Sequence, residues 1–236
     1  MFRAISLMFF LILIFPGCPS MSFAQTDRDS YYMILFSQEG PGHEPWLSHT
    51  FATFIKATGD RSDKKHFRLG HHTISWLPAS RDVHLLRLRP EAGKNYTLKE
   101  TLRLARSLNV RVSMWGPLQI DKELYERAMR QVKRLNEGKV AYKAIDTRFR
   151  PDVASNCFHV ISDIDADNGL LNTGTAHGDD ASSMVLMHLK RWLIHPEKVH
   201  EWVTQRLGLT DSSIVRLKME WTVLPKPNSP LRRHFV

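Results

Sequence analysis

The sequence predicts an α+β fold, and three features carry the prediction. Short runs rich in apolar, β-branched and aromatic residues crowd the N-terminal half, at 31–36, 49–58 and 67–77. Two segments with helical spacing and capping signatures open at Thr97 and Asp121. Strand-like alternation returns at 214–223. Strands first, helices next and a return strand describe an antiparallel sheet packed on helices.

The elements follow in order. Residues 31–36 (YYMILF) are apolar on both faces and fit a buried strand. The loop GPGHEPW at 40–46 leads to a second strand at 49–58 (HTFATFIKAT). The charged stretch 59–66 reads as a hairpin loop, 67–77 (FRLGHHTISWL) as the third strand and 83–88 as a fourth. Thr97 and Glu100 form a capping box before Leu98, Leu102, Ala105 and Leu108, which share a helical face. Val110, Val112 and Met114 alternate as a strand. Asp121 caps a helix carrying Leu124, Ala128, Val132 and Leu135, and Gly138 sits where a helix ends. Residues 139–146 read as extended. Cys157 opens a buried helix capped by Ser155 or Asn156, and 163–180 reads as an acidic, glycine-bearing loop. Helices are predicted at 181–194 and 196–207, the second with Pro196 at its start and Gly208 after its end. In 214–223, Val215, Leu217, Met219, Trp221 and Val223 share one face.

A chain of 236 residues suits one domain with its own core. Hydrophobic residues at 42% and charged residues at 24% exclude collagen, coiled coil, low-complexity disorder and a multi-span membrane protein. Two cysteines exclude a disulfide scaffold. Arg3 and the apolar run 4–15 match the n- and h-regions of a signal peptide and are too short for a membrane span. Ser22-Phe23-Ala24 supplies small residues for cleavage after Ala24, giving a signal peptide at 1–24 and a single domain at 25–236. Phe15-Pro16-Gly17-Cys18 offers a lipoprotein box as the alternative, and an uncleaved anchor is the third reading. All three place the domain outside the cytoplasmic membrane. Residues 25–236 carry eight more bases than acids, spread along the chain as a solvated basic surface that favours anionic partners.

Cys157 is the lone cysteine of the body. A thiol at a helix N-terminus is activated by the helix dipole and needs a base, usually histidine; the competing reading is a small buried core residue. Among the 12 histidines, His49 stands at a strand start, a rigid platform for a base. His71 and His72 lie on the next strand, and a hairpin could bring one of them to orient His49; alternation favours His72.

This order resembles the permuted papain-like fold, in its permuted NlpC-type peptidase and lecithin retinol acyltransferase-like branch. Asn156-Cys157-Phe158-His159-Val160 is similar to the Asn-Cys-Glu-His-Phe motif of the acyltransferases, with Phe158 in place of the Glu. Ser48-His49-Thr50-Phe51 fits the strand that carries the family base, and 142–157 fits the approach to the Cys helix. The resemblance spans roughly 31–165, and 83–135 is longer than in a minimal member. It implies catalysis by Cys157 as nucleophile, His49 as general base and His72 as orienting residue, through an acyl-enzyme. The C-terminal helices and strand would then be an extension. His159, two residues along the helix from Cys157, points to another face and reads as structural.

Other motifs point less far. The segment Asp163 to Gly169 lacks the glycine and glutamate that an EF-hand needs at its sixth and twelfth positions. His177-Gly178-Asp179-Asp180 reads as a metal ligand set or a helix cap, and His195 and His200 are five apart rather than four. The leading expectation is an exported thiol hydrolase, a peptidase or amidase of the periplasm or cell envelope acting on cell-wall peptides. A lipid-directed acyltransferase or esterase is the alternative. A non-catalytic binding module, with Trp46, Trp76 and Trp115 lining a groove, is another, and a structural envelope protein with a buried Cys157 the last. The expected partners are a peptide or wall substrate, or a lipid, with peripheral association to an anionic membrane or wall. No nucleic acid, metal or cofactor is expected.

Overall fold

The computed structural model describes residues 29–59, 67–146 and 153–221. The predicted signal peptide at 1–24, with Cys18, residues 60–66 of the predicted hairpin loop and residues 222–236 lie outside the described residues. The fold is α+β, built on one mixed sheet. Strand β1 (Asp29–Glu39) is central. It pairs antiparallel with β2 (His49–Thr58), in a register that sets Gln38 opposite His49. Strand β3 (Arg68–Ile74) continues the sheet beyond β2. On the other side of β1 lies β6 (Arg111–Ile120). β6 pairs antiparallel with β9 (Leu193–Val199) and parallel with β10 (Ile214–Leu217). The parallel β10 corrects the purely antiparallel expectation.

Both faces of this sheet are covered, so β1 is buried almost continuously rather than in alternation. One face packs Met33, Leu35, Phe54 and Trp115 against Leu124 and Ala128 of α2 (Lys122–Asn136), Val160 of α3 (His159–Ser162) and Val185 of α4 (Gly178–His188). The other packs Ile34, Phe36, Phe51 and Ile55 against Leu98 and Ala105 of α1 (Leu98–Ser107) and Val203 of α5 (Glu201–Arg206). The Thr97–Glu100 capping box is present at the start of α1.

Several predicted elements change. The third strand breaks at Ser75, and β4 (Trp76–Pro78) leaves the main sheet to pair with β5 (Gly93–Asn95). The Asn95 side chain fixes the break: its Oδ1 accepts from the Ser75 N–H at 2.8 Å and its Nδ2 donates to the Thr73 carbonyl at 3.0 Å. Gly93 is required beside it, because a Cβ there would lie 2.1 Å from the Trp76 ring. Residues 83–88 form no strand. The strand read at 110–114 extends to Ile120. The helix read at 196–207 is instead β9 followed by α5, with Pro196 on a strand that pairs only with β6. Two further strands, β7 (Ala141–Tyr142) and β8 (Ala154–Ser155), pair in parallel and deliver the chain to Cys157.

Candidate active site

His49 and Cys157 line the same cavity, of about 300 Å³. Its walls include Thr50, Tyr142 and His177, with Val83, Leu85, Ile145 and Phe158 as apolar lining. Each polar group reaches it by a separate structural device.

His49 is carried by the first position of β2 and is buried. Its ring stacks on Phe51, with centroids 5.6 Å apart. Nε2 lies 2.9 Å from Ser75 Oγ, and Ser75 is the residue at which β3 breaks from β4. Ser75 Oγ is in turn 2.8 Å from Thr101 Oγ1, which also lies 2.9 Å from the Thr97 carbonyl in α1. The hydroxyl chain therefore ends on helix backbone. Nδ1 of His49 is buried without a hydrogen-bond partner. No carboxylate offsets the loss of water, so burial pushes the His49 pKa down to about 3.

Cys157 is a free, buried thiol two residues before the single turn of α3. Its sulfur is approached by the N–H groups of Thr50, Phe158 and Cys157 itself. Thr50 follows His49 in the chain, so the strand that carries the imidazole also contacts the sulfur. Burial outweighs those donors and pushes the thiol up to about 11, with the charge of Asp146 adding to the rise. The expectation of a thiol activated by a helix dipole is thus corrected. One turn of helix is too little to offset the desolvation of a thiolate.

The turn around Cys157 is clamped by Asp146. Its carboxylate lies 2.7 Å from His159 Nδ1 and accepts from the Asn156 N–H at 3.1 Å and the Ser155 hydroxyl at 3.4 Å. Asn156 closes the clamp, with Oδ1 accepting from the His159 N–H at 2.9 Å and Nδ2 donating to the Ala144 carbonyl at 3.2 Å. His159 does not line the cavity. Asp163, close by, is pushed up to about 6 by burial.

His72 does not reach this site. It is exposed on β3 opposite Phe54, with His71 opposite Ile55. Phe54 is five strand positions from His49, or ~17 Å at the usual rise. Ser75 occupies the position expected of His72, and the sequence reading missed it together with Thr101 and Tyr142. The Tyr142 phenol is pushed up by burial and by Cys157, so it stands on the cavity wall as a protonated hydroxyl.

The rim is tied down separately. His177 Nε2 lies 2.8 Å from the His43 carbonyl and Nδ1 lies 3.1 Å from that of Thr175, joining the loop at 40–48 to the loop before α4. Beneath them Arg111 binds Glu39 and Asp179, and Glu39 also meets His43. Gly178, at φ +58°, leaves room for Glu39: a Cβ would fall 2.7 Å from its carboxylate. Asp179 is therefore an arginine partner. The acidic loop is paired likewise, Asp165 with Arg191 and Asp167 with Arg127. Trp76 and Trp115 are core residues, and Trp46 is exposed near the cavity. Among the described residues, no group of three or more His, Cys, Asp or Glu side chains is placed to hold a metal, and no helix is long and apolar enough to cross a membrane.

Compared with models of known protein families, with curated proteins and with solved structures, the chain gives no match.

Proposed function

We propose that the chain is a thiol hydrolase of permuted papain-like type, with Cys157 as nucleophile and His49 as general base. The observation that supports this most strongly is the imidazole itself. It is buried, held at Nε2 by Ser75 and left without a hydrogen-bond partner at Nδ1, and it lines the same cavity as the buried Cys157 thiol.

Proton counting supports the polarity. Hydroxyl protons turn to suit their surroundings. The Thr101 hydroxyl is placed to donate to Ser75 Oγ or to the Thr97 carbonyl; when it donates to the carbonyl, Ser75 donates to Thr101 and accepts from His49 Nε2–H. A buried N–H without an acceptor is costly, so Nδ1 carries the lone pair.

At rest the pair is neutral, because burial disfavours both the thiolate and the imidazolium. The proton therefore moves as the sulfur attacks. The S–H proton passes to Nδ1 of His49 while sulfur bonds to the carbonyl carbon of an amide or ester. The Cys157 and Phe158 N–H groups and the Tyr142 hydroxyl are the donors at hand for the developing oxyanion. The imidazolium then protonates the departing amine or alcohol, leaving a thioester on Cys157. Water gives a proton to Nδ1, attacks the thioester and releases the acid and the restored thiol.

The apolar lining supports a substrate with an apolar acyl side, whether in a wall peptide or a lipid. The N-terminal run keeps an exported enzyme as the proposed setting. The test needs no natural substrate. Reaction with p-nitrophenyl acyl esters is followed by the phenol burst and by mass spectrometry of the intact protein. Wild type is expected to gain one acyl group on Cys157, Cys157→Ala none, and His49→Ala an acyl group at a rate lower by about 10²–10⁴-fold. An unacylated wild type, or a Cys157→Ala protein that keeps the burst, would leave the binding-module reading in its place.

A further inference from the structure

The mouth of the Cys157 cavity is unusually apolar on its outside. Leu86 and Leu88 are 87% and 88% exposed, Ile145 59% and Trp46 53%. All four stand on segments that line the cavity: Val83 and Leu85 line it from the loop of Leu86 and Leu88, Pro45 lines it next to Trp46, and Ile145 lines it directly. Within 83–89 the apolar side chains divide. Val83 and Leu85 are half-buried, while Leu86 and Leu88 face solvent with Arg87 and Arg89 between and after them. Exposed leucines gathered at one opening mark a surface that is covered in use.

We infer that this rim docks on an anionic phospholipid bilayer. Three observations favour that occupant. The leucines alternate with arginines, Arg87 paired with Glu91 at 2.8 Å and Arg89 two residues on, so one loop sets membrane-inserting side chains beside bases that can meet lipid phosphate. Trp46 has the amphipathic ring that settles at a headgroup interface. The whole chain is basic, with a net charge of +9, which draws it to an anionic surface. Docking in this orientation would set the cavity mouth against the lipid. The inference rests on the proposed function only for what docking achieves; the docking itself is independent of Cys157.

Vesicle flotation tests it, with full-length protein and two vesicle types: phosphatidylcholine alone, and equal parts phosphatidylcholine and phosphatidylglycerol. The N-terminal apolar run is common to every variant, so differences between variants report the rim. Wild type and Cys157→Ala should bind the anionic vesicles equally. Leu86→Ser/Leu88→Ser should bind them at least ~10-fold more weakly, and Arg87→Gln/Arg89→Gln should lose the preference for anionic lipid. These positions are exposed, and an unchanged unfolding midpoint would show that the variants fold. Wild-type binding by the leucine variant, or equal wild-type binding to both vesicles, would overturn the inference. So would a leucine variant that changes only the oligomeric state, since the rim would then face a second copy. Loss of docking with acylation of Cys157 intact separates failure here from failure of the proposed chemistry.

Discussion

Two buried histidines stand near Cys157, and they are held in opposite ways. His159 faces a carboxylate, Asp146, at 2.7 Å, and that carboxylate also accepts from the Asn156 N–H and the Ser155 hydroxyl. His49 faces only hydroxyls, first Ser75 and then Thr101. The carboxylate can balance a positive ring, and the hydroxyls cannot, so His49 is kept neutral by burial. The comparison separates two tasks. A carboxylate clamp fixes where the Cys157 thiol sits, while a chain of hydroxyls holds the His49 ring. Under the proposed mechanism, a base that accepts a proton only while the sulfur attacks is better served by the second.

The largest expected effect that would break this division is at the clamp. Asp146→Ala leaves buried partners unsatisfied and should lower stability by about 3 kcal/mol, read as a urea midpoint. Acylation per folded molecule should fall far less than in His49→Ala. If it falls as much, Asp146 and His159 belong to the chemistry and the comparison fails.

The relay gives an intermediate effect. Ser75→Ala removes the acceptor of Nε2 and should slow acylation by about 10–100-fold, because the ring loses its fixed tautomer. Thr101→Val should slow it by about 3–10-fold by the same route, and Thr101→Ser should restore it. A slower Thr101→Val that Thr101→Ser does not restore would make Thr101 a packing residue only.

A third effect lies in the pH dependence of stability. The unfolded imidazole takes up its proton near pH ~6.5, whereas folded His49 resists it until about 3. Between those values the unfolded chain binds the extra proton. The stability that comes from neutral His49 is therefore complete above pH ~6.5 and is lost as the pH falls, with a slope of up to about 1.4 kcal/mol per pH unit. Asp163 works the other way: folded at about 6 against ~3.9 unfolded, it favours the fold as the pH falls through that window. Urea midpoints across this range should show a shallower acid-side loss in His49→Gln than in wild type. Equal slopes would mean that His49 is not buried as a neutral ring.

Much of this was readable in the sequence, and the failures have physical causes. The capping box of α1 and the apolar stripe of α2 are local signals, and both elements formed as read. The strands at 31–36 and 49–58 were legible because their apolar and β-branched runs have no other use. Cys157 and His49 were found by residue type and position, and the fold brings both to one cavity. Ser75 was missed because its role depends on register. In a hairpin the start of one strand faces the end of the next, so His49 looks toward the end of the 67–77 run and not toward His72 at its middle. Hairpin register points His49 to the end of that run, at Leu77, and the break at Ser75, which brings its hydroxyl to the ring, has no sequence signal. Thr101 and Tyr142 carry no sequence signal, since each is placed by packing between distant segments. The helix at Cys157 starts two residues later than read, at His159, where Asn156 Oδ1 accepts from its N–H. Pro196 was read as a helix start, a preference that the pairing of β9 with β6 overrides.

The most direct measurement is of the His49 ring itself. Protein with ¹⁵N-labelled histidine, compared with His49→Gln for assignment, reports the protonation of each ring nitrogen by NMR. A neutral ring is predicted from about pH 7 to about pH 5, protonated on Nε2 and bare on Nδ1, with the Nδ1 signal moving when Cys157 is alkylated. A proton resident on Nδ1, a ring already charged near pH ~6, or an Nδ1 signal indifferent to Cys157 would contradict the account.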